Sequence, residues 1–253
     1  MEKKNIQAII NDKLIQPRFG THEQVEREAD DINEENSVII AGFGNFGSIV
    51  GRLLRANDVG ITVLEHDSDR VELLRKLGLK VFYGDASRQD LLHAAGAEKA
   101  RILILAFNDH TKTLRIVHMV RKHYPHLSIF TRSSGRTEAF ELLDEGVHHV
   151  YRETFDTSLK VGVDTLVTLG FRAYQAHLVT KTFRHHDEDA TNALRHVRHD
   201  QKTYINIARQ RIEDLEQLML SELRDTEEHL DTGWDISYVM KKFGGGKKIK
   251  KNE

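Results

Sequence analysis

The chain has 253 residues, enough for two small domains or for one domain with an appendage. Its formal net charge is −2, which gives no overall attraction to nucleic acid, and its lack of cysteine excludes disulfides, thiolate metal sites and cysteine nucleophiles. The longest apolar run, residues 102–107, suits a buried strand rather than a membrane span, and no signal-peptide pattern follows Met1. We therefore expect a soluble, cytosolic protein.

The first segment, residues 1–36, is polar and becomes acidic toward its end, with Pro17 and Gly20 interrupting it. It carries little of the apolar periodicity that marks a buried helix or strand. We interpret it as a linker or a peripheral helix.

From Ser37 onward, short aliphatic and β-branched runs alternate with longer segments that have apolar residues at helical spacing, such as Ile49, Leu53 and Leu54. The predicted strands are residues 38–40, 61–64, 80–83, 102–106, 128–131 and 149–150. This alternation, with strands that are apolar throughout, predicts an α/β domain over residues 37–153. Its fold is expected to be a Rossmann-like, doubly wound parallel sheet.

After Arg152 the strand pattern stops and a helical C-terminal extension is predicted over residues 154–232. A helix over residues 154–169 would place Leu159, Val163, Leu166 and Val167 on one face. A second helix, residues 205–230, carries a narrow stripe of Ile212, Leu215, Leu218, Met219 and Leu223. Such a stripe is typical of burial against a neighbour or a second subunit. Residues 233–253 include Gly244–Gly246 and several lysines, and they are predicted to form a flexible basic tail.

The most informative motif is a glycine-rich loop, residues 42–47, which follows the first predicted strand and opens a helix. Gly42 permits the tight turn, Gly44 lets the backbone approach phosphates, and Gly47 permits close packing of helix on strand. The helix N-terminus adds a partial positive charge. The predicted contacts of a nucleotide here are Gly42, Phe43, Gly44, Asn45, Phe46 and Gly47.

Other nucleotide contacts are predicted at the ends of later strands. Glu65 stands where an acid accepts hydrogen bonds from a ribose diol, and no arginine follows it immediately, so NAD(H) or AMP is favoured over NADP(H). Asp85 either binds an adenine amino group or caps a helix that begins near Ser87. The remaining candidates are His66, Gly84, Ala86 and Phe107.

Catalytic and metal chemistry find little support in the sequence. No His/Asp or Lys/Tyr pair is recognisable as hydride-transfer machinery. The histidine pairs His185–His186 and His196–His199 lack carboxylates at a diagnostic spacing, so no metal site is predicted. The residues alone therefore indicate a nucleotide sensor rather than an enzyme.

Several blocks of sequence together resemble a known family, the cytoplasmic regulatory domain of Kef glutathione-gated potassium efflux systems. The blocks are residues 42–47, 51–54, 63–67, 74–76, 81–86 and 152–155, and the similarity extends from about residue 37 to 170. The resemblance implies a KTN (RCK) domain that forms a homodimer beneath a membrane-embedded potassium/proton antiporter of the same full-length protein. This places it at the cytoplasmic face of the bacterial inner membrane. An oxidoreductase-like ancillary subunit is a further partner to consider.

The resemblance also implies ligands. Glutathione would hold the system closed and glutathione S-adducts would activate it, with AMP or NAD(H) in the glycine-rich loop. By position, Arg52, Arg152 and Asp187 are similar to glutathione contacts, although asparagine is usual at the last position. Leu77 stands where relatives carry a phenylalanine implicated in gating.

Each of these assignments has an alternative. From the residues alone, Arg52 is more typical of a solvated helix surface, and Leu77 is typical of a core residue at helical spacing with Val71 and Leu74. For the whole protein, the alternatives are a NAD-dependent oxidoreductase and a KTN subunit of a Trk-type potassium uptake system that nucleotide alone gates.

Overall fold

The computed structural model describes residues 30, 32 and 34–228, with the side chains of residues 220 and 222–228 excepted. The chain divides into two compact units between Glu153 and Thr154. Most of the predicted linker and all of the predicted basic tail lie outside the described residues.

The first unit is built on a parallel sheet that has six strands within the described residues, in the order β3-β2-β1-β4-β5-β6. The strands are β1 (Val38–Ala41), β2 (Ile61–Glu65), β3 (Phe82–Tyr83), β4 (Ile102–Leu105), β5 (Ser128–Ser133) and β6 (His149–Arg152). The prediction of a doubly wound parallel sheet is confirmed. Because the order reverses between β1 and β4, their carboxyl ends form the crevice where ligands bind in such folds.

Helices connect the strands and cover the sheet: α1 (Asn45–Ala56), α2 (Ser68–Lys76), α3 (Gln89–Ala94), α4 (His110–His123) and α5 (Arg136–Asp144). Alternate residues of β1 enter two separate core clusters, Ile39 and Ala41 on one face, Val38 and Ile40 on the other. Burial on both faces explains why the strands are apolar throughout.

Helix α1 packs on the sheet through small residues rather than through the apolar residues whose spacing identified it. Its apolar residues Ile49 and Leu53 are 59% and 64% exposed. The buried residues of the helix are small: Gly47, Ser48 and Gly51. Apolar spacing identified the helix correctly, but Ile49 and Leu53 do not form its packing face, because close helix–sheet approach requires small side chains.

The last residues of the predicted linker lie against the sheet edge at β3. The backbone N–H of Asp30 donates to the carbonyl of Tyr83, with 3.2 Å between nitrogen and oxygen, and its carboxylate pairs with Arg75. Ile32 is 6% exposed and belongs to a core cluster. For residues 30, 32 and 34–36, the interpretation as a linker or peripheral helix is wrong, because they are non-helical and packed on the domain.

The second unit contains α6 (Phe155–Thr168), α7 (Ala173–Val197) and α8 (Gln201–Glu228). Of the residues predicted to share one face of α6, Val163 is buried and Val167 is 41% exposed. The stripe on α8 is not buried by the described part of the chain, since Ile212 and Leu218 are 58% and 40% exposed. Among the described residues, no helix is both long and apolar enough to cross a bilayer.

Candidate nucleotide-binding site

The glycine-rich loop leaves β1 through a turn that needs glycine. Gly42 has a φ of +92°, a conformation that residues with side chains rarely adopt. Its N–H donates to the carbonyl of Leu64 over 2.8 Å, which ties the loop to β2. A Cβ at this position would lie 3.1 Å from the ring of Phe107. Phe107 therefore closes one side of the loop.

At the other two glycines of the motif, the absence of a side chain allows close approach to the loop backbone. A Cβ on Gly47 would lie 2.1 Å from the carbonyl oxygen of Gly42, so only glycine fits there. Gly44 is the N-cap residue of α1 and offers no side chain to the first-turn N–H groups. Those N–H groups remain for an anion, and the helix dipole favours one.

A buried carboxylate holds this loop from the β2 side. Glu65 is 2% exposed, and its Oε2 accepts from the N–H of Phe43 over 2.8 Å. Its Oε1 accepts from the backbone N–H groups of His66 and Asp67 over 2.9 and 3.1 Å. The predicted position beside the loop is therefore occupied by an acid that organises the loop backbone. Its predicted contact with a ribose stays a prediction.

The pKa of Glu65 is lowered from 4.5 to about 2. Burial alone would raise this pKa, since it disfavours the charged form. The hydrogen bond with His66 and that from the Phe43 N–H outweigh it, with further help from the charge of Arg70. Glu65 is consequently ionised throughout the physiological range.

At the end of β3, the predicted residues Gly84, Asp85 and Ala86 surround a charged contact. The N–H of Gly84 donates to the carbonyl of Glu65 over 3.0 Å, and Ala86 is 2% exposed. Asp85 lies 2.9 Å from the ammonium of Lys112, which is itself 5.0 Å from the centre of the Phe107 ring. This contact joins the β3 end to the Phe107 side of the loop.

Asp85 does not cap a helix, contrary to one of the two interpretations from sequence. It accepts from the N–H of Ser87 over 2.9 Å, but α3 begins at Gln89 and its N-cap residue is Arg88. Burial by itself would raise the pKa of Asp85, but the hydrogen bonds from Ser87 and Lys112 outweigh it, so the pKa lies below its ordinary value.

Arg70 is a site residue that the sequence analysis missed. No arginine follows Glu65 immediately in the sequence, but α2 returns Arg70 to within 3.5 Å of the Glu65 carboxylate. The same guanidinium lies 3.5 Å from the position that a Cβ would take on Gly44. Asp67 caps α2 by accepting from the backbone N–H of Arg70, and this hydrogen bond fixes the position of Arg70 in the first turn of the helix. An arginine five residues after the strand-end acid is the signal that was available.

Arg132, from β5, is a second arginine beside the loop that the sequence did not reveal. Its side chain is 10% exposed and lies 5.9 Å from the centre of the Phe46 ring. It donates to the side chains of Asn108 and Glu153. Burial lowers the pKa of Arg132, and the charge of Glu138 opposes that shift. A charged residue in a strand gives no local signal of such a position.

The predicted glutathione contacts lie in both units. Arg52 is half-buried on α1, where its Nε donates to the carbonyl of Ser48 over 3.3 Å. Arg152 ends β6, in register with Ser133 of β5. Asp187 is buried on α7, in the second unit.

Leu77 is exposed, which excludes its interpretation as a core residue. It is the C-cap residue of α2 and is 42% exposed, whereas Val71 and Leu74 of the same helix are buried. The helix ends at Lys76, so Leu77 does not continue the buried face that Val71 and Leu74 form. Its predicted role in gating stays a prediction.

The sheet order and the glycine-rich loop at its switch point define the class of Rossmann nucleotide-binding domains. Within this class, residues 38–153 match the TrkA-N domain family model, and residues 157–233 match the potassium efflux system KefB C-terminal domain. The structure of the Shewanella denitrificans Kef CTD in AMP-bound form is 41% identical, with a TM-score of 0.59, over 64% of this chain and 99% of that one. The chain belongs to the KTN (RCK) regulatory domains of Kef-type potassium efflux systems.

Two further solved structures are similar to this chain at lower identity. The TrkA-N domain of the Escherichia coli inner membrane protein ybaL is 25% identical with a TM-score of 0.48, over 55% of this chain and 100% of that one. The GsuK channel bound to NAD is 19% identical with a TM-score of 0.47, over 62% of this chain and 27% of that one.

Proposed function

We propose that this domain senses ligands for a membrane-embedded potassium/proton antiporter, with an adenine nucleotide, AMP or NAD(H), in the glycine-rich loop. The observation that carries the proposal is the loop itself, in which Gly44 leaves the first-turn N–H groups of α1 open and Gly47 admits no side chain. The related Kef domain bound to AMP supports the choice of an adenine nucleotide. The role is regulatory rather than catalytic.

Glutathione is the proposed regulatory ligand. It has two carboxylates and one ammonium group, which the guanidiniums of Arg52 and Arg152 and the carboxylate of Asp187 complement. The proposed working form is a homodimer at the cytoplasmic face of the inner membrane. The exposed apolar residues Ile212 and Leu218 on α8 support a second copy as the partner of that helix. An oxidoreductase-like ancillary subunit stays a proposal without a surface assigned to it.

The proposed mechanism is a balance between two states of the dimer. Glutathione favours the closed state, and a bulkier S-adduct in the same site favours the active one. A ligand shifts such a balance only by its difference in affinity for the two states, typically about 1–3 kcal/mol. Leu77, exposed at the end of α2, is accessible to a bulky adduct.

The nucleotide part of the proposal is tested by calorimetric titration with AMP. Gly44→Ala is expected to fold, because its φ of −72° suits alanine and a Cβ there meets nothing closer than 3.5 Å. It should nevertheless weaken AMP binding by about tenfold or more, since the methyl group occupies the phosphate's approach. Gly162→Ala, in α6 with nothing within 4 Å of its Cβ, is the matched control and should bind AMP normally.

Two other outcomes would favour the alternative functions. Turnover of NADH with a panel of carbonyl compounds would favour an oxidoreductase. Binding of AMP without any response to glutathione would favour a nucleotide-gated KTN subunit of a Trk-type uptake system.

A further inference from the structure

The described residues of the segment 30–36 form a strap along the open edge of the sheet. Among the described residues, β3 pairs with β2 alone, so its other edge lacks a partner strand. The backbone N–H of Asp30 donates to the carbonyl of Tyr83 over 3.2 Å, and the Asp30 carboxylate accepts from the backbone N–H of Tyr83. The strap thus supplies the hydrogen bonds that a neighbouring strand would give the last residue of β3.

The strap is anchored along its length. Ile32 is 6% exposed and lies in the core cluster that contains Leu92. The side-chain amide of Asn36 donates to the hydroxyl of Thr62, a fully buried residue of β2, over 3.2 Å. Two ion pairs with lysines complete the contacts, Glu34 with Lys80 and Glu35 with Lys99. Because exposed ion pairs contribute little, the burial of Ile32 contributes most to the docking of this segment.

One arginine joins the strap to helix α2. The guanidinium of Arg75 pairs with the carboxylate of Asp30, and its Nε donates to the carbonyl of Val81 over 2.9 Å. Arg75 lies in the last turn of α2. The first turn of the same helix carries Arg70, which lies 3.5 Å from the buried carboxylate of Glu65. Helix α2 therefore contacts the strap at one end and the acid that organises the glycine-rich loop at the other.

A second connection runs through the end of β3. Gly84 follows the strap contact Tyr83, and its N–H donates to the carbonyl of Glu65 over 3.0 Å. Asp30 thus lies against both α2 and the end of β3, and both elements also contact Glu65. Contiguous contacts of this kind carry coupling between two places when one element has two arrangements, here a docked and a released strap.

We propose that the strap is coupled to the nucleotide site, so that nucleotide binding and strap docking stabilise each other. Arg75 is the positioning residue that joins them. This rests on the proposed nucleotide function of the loop. A nucleotide that orders the loop also orders α2 and the end of β3, the two elements that hold Asp30. The coupling is reciprocal, so release of the strap weakens AMP by the same factor by which AMP opposes that release.

The first measurement is amide hydrogen exchange of the 253-residue protein with and without AMP, read in the peptide that covers residues 30–36. Saturating AMP should slow the exchange of this peptide by about fivefold or more, since AMP favours the docked strap. A strap that only covers the edge of the sheet would exchange at the same rate in both samples.

Two variants test whether Arg75 acts through Asp30. Arg75→Gln and Asp30→Asn are expected to fold, because the two side chains are 44% and 28% exposed. Each should reduce the AMP effect on exchange to less than about twofold and weaken AMP binding, measured by calorimetry, by about threefold or more. The double variant should lose no more than the larger single loss, because both changes break one contact. Arg75→Lys keeps the charge and should restore most of the coupling.

The matched control is Arg55→Gln, which changes an exposed arginine in the last turn of α1 and should leave exchange and AMP affinity at their wild-type values. Binding of AMP without slower exchange of the strap would overturn the coupling. Wild-type AMP affinity in both Arg75→Gln and Asp30→Asn would also overturn it. Failure of AMP to bind the wild-type protein would contradict the proposed nucleotide function, and this inference with it.

Discussion

At the scale of single residues, the glycine-rich loop depends on one buried charge. Glu65 accepts hydrogen bonds from the N–H groups of Phe43, His66 and Asp67, and it also faces Arg70. These donors come from two segments, the loop and the start of α2. Neutralising Glu65 would leave several buried donors with a weaker acceptor.

We predict that Glu65 makes the stability of the domain depend on pH in the acid range. Its folded-state pKa is about 2, against an ordinary value of 4.5. Since the folded-state pKa is depressed, the stabilisation is present above pH 4.5 and is lost as the pH falls toward 2. The full effect is roughly 3 kcal/mol, of which about 2 kcal/mol disappears between pH 7 and pH 3.

The measurement is urea unfolding of the wild-type protein and of Glu65→Gln at several pH values. The difference between the two proteins isolates Glu65 from the other carboxylates. The wild-type advantage should shrink by about 2 kcal/mol from pH 7 to pH 3. Parallel curves for the two proteins would contradict this role.

The residues beside the loop were only partly predictable from sequence. Glu65 follows a strand at the expected spacing from the glycines, so its position was predicted. Arg132 was not, because its neighbours Phe46, Asn108 and Glu153 come from three different parts of the chain. No local pattern encodes a contact that only the folded sheet creates.

At the scale of elements, α1 shows what periodicity determines and what it leaves open. Apolar spacing identified the helix, but Ile49 and Leu53 face away from the core. The fully buried residues of the helix are small, with Val50 and Leu54 partly buried beside them, and periodicity in hydrophobicity does not detect small residues. By contrast, the strands were identified because their burial on both faces leaves continuous apolar runs.

A pair of glycine substitutions tests the packing of these elements. Gly47→Ala should destabilise the protein by about 1–3 kcal/mol, because its Cβ would lie 2.1 Å from the backbone oxygen of Gly42, which must move. Gly162→Ala, in the interior of α6 with open space around it, should be stabilising by up to about 1 kcal/mol. Urea unfolding measures both, and a Gly47→Ala protein as stable as the wild type would contradict the packing described for α1.

At the scale of the whole molecule, the two units are proposed to share one regulatory task. The first carries the nucleotide site together with Arg52 and Arg152, and the second carries Asp187. The parallel direction of the strands in the first unit could be predicted because each strand is followed by a helix, which makes parallel crossovers. The partner that covers the apolar stripe of α8 could not be predicted from the sequence, since the pattern shows that a face is apolar but not what packs on it.

The most direct test of the account is calorimetric titration of the AMP-saturated protein with glutathione and then with a bulky S-adduct. The wild type should show saturable binding of both, and Arg152→Ala should lose it. Arg101→Ala is the matched control, since Arg101 precedes β4 at the amino ends of the strands whereas Arg152 ends β6, and it should bind normally. Absence of heat from either ligand, with AMP still bound, would contradict glutathione sensing and leave a sensor of nucleotide alone.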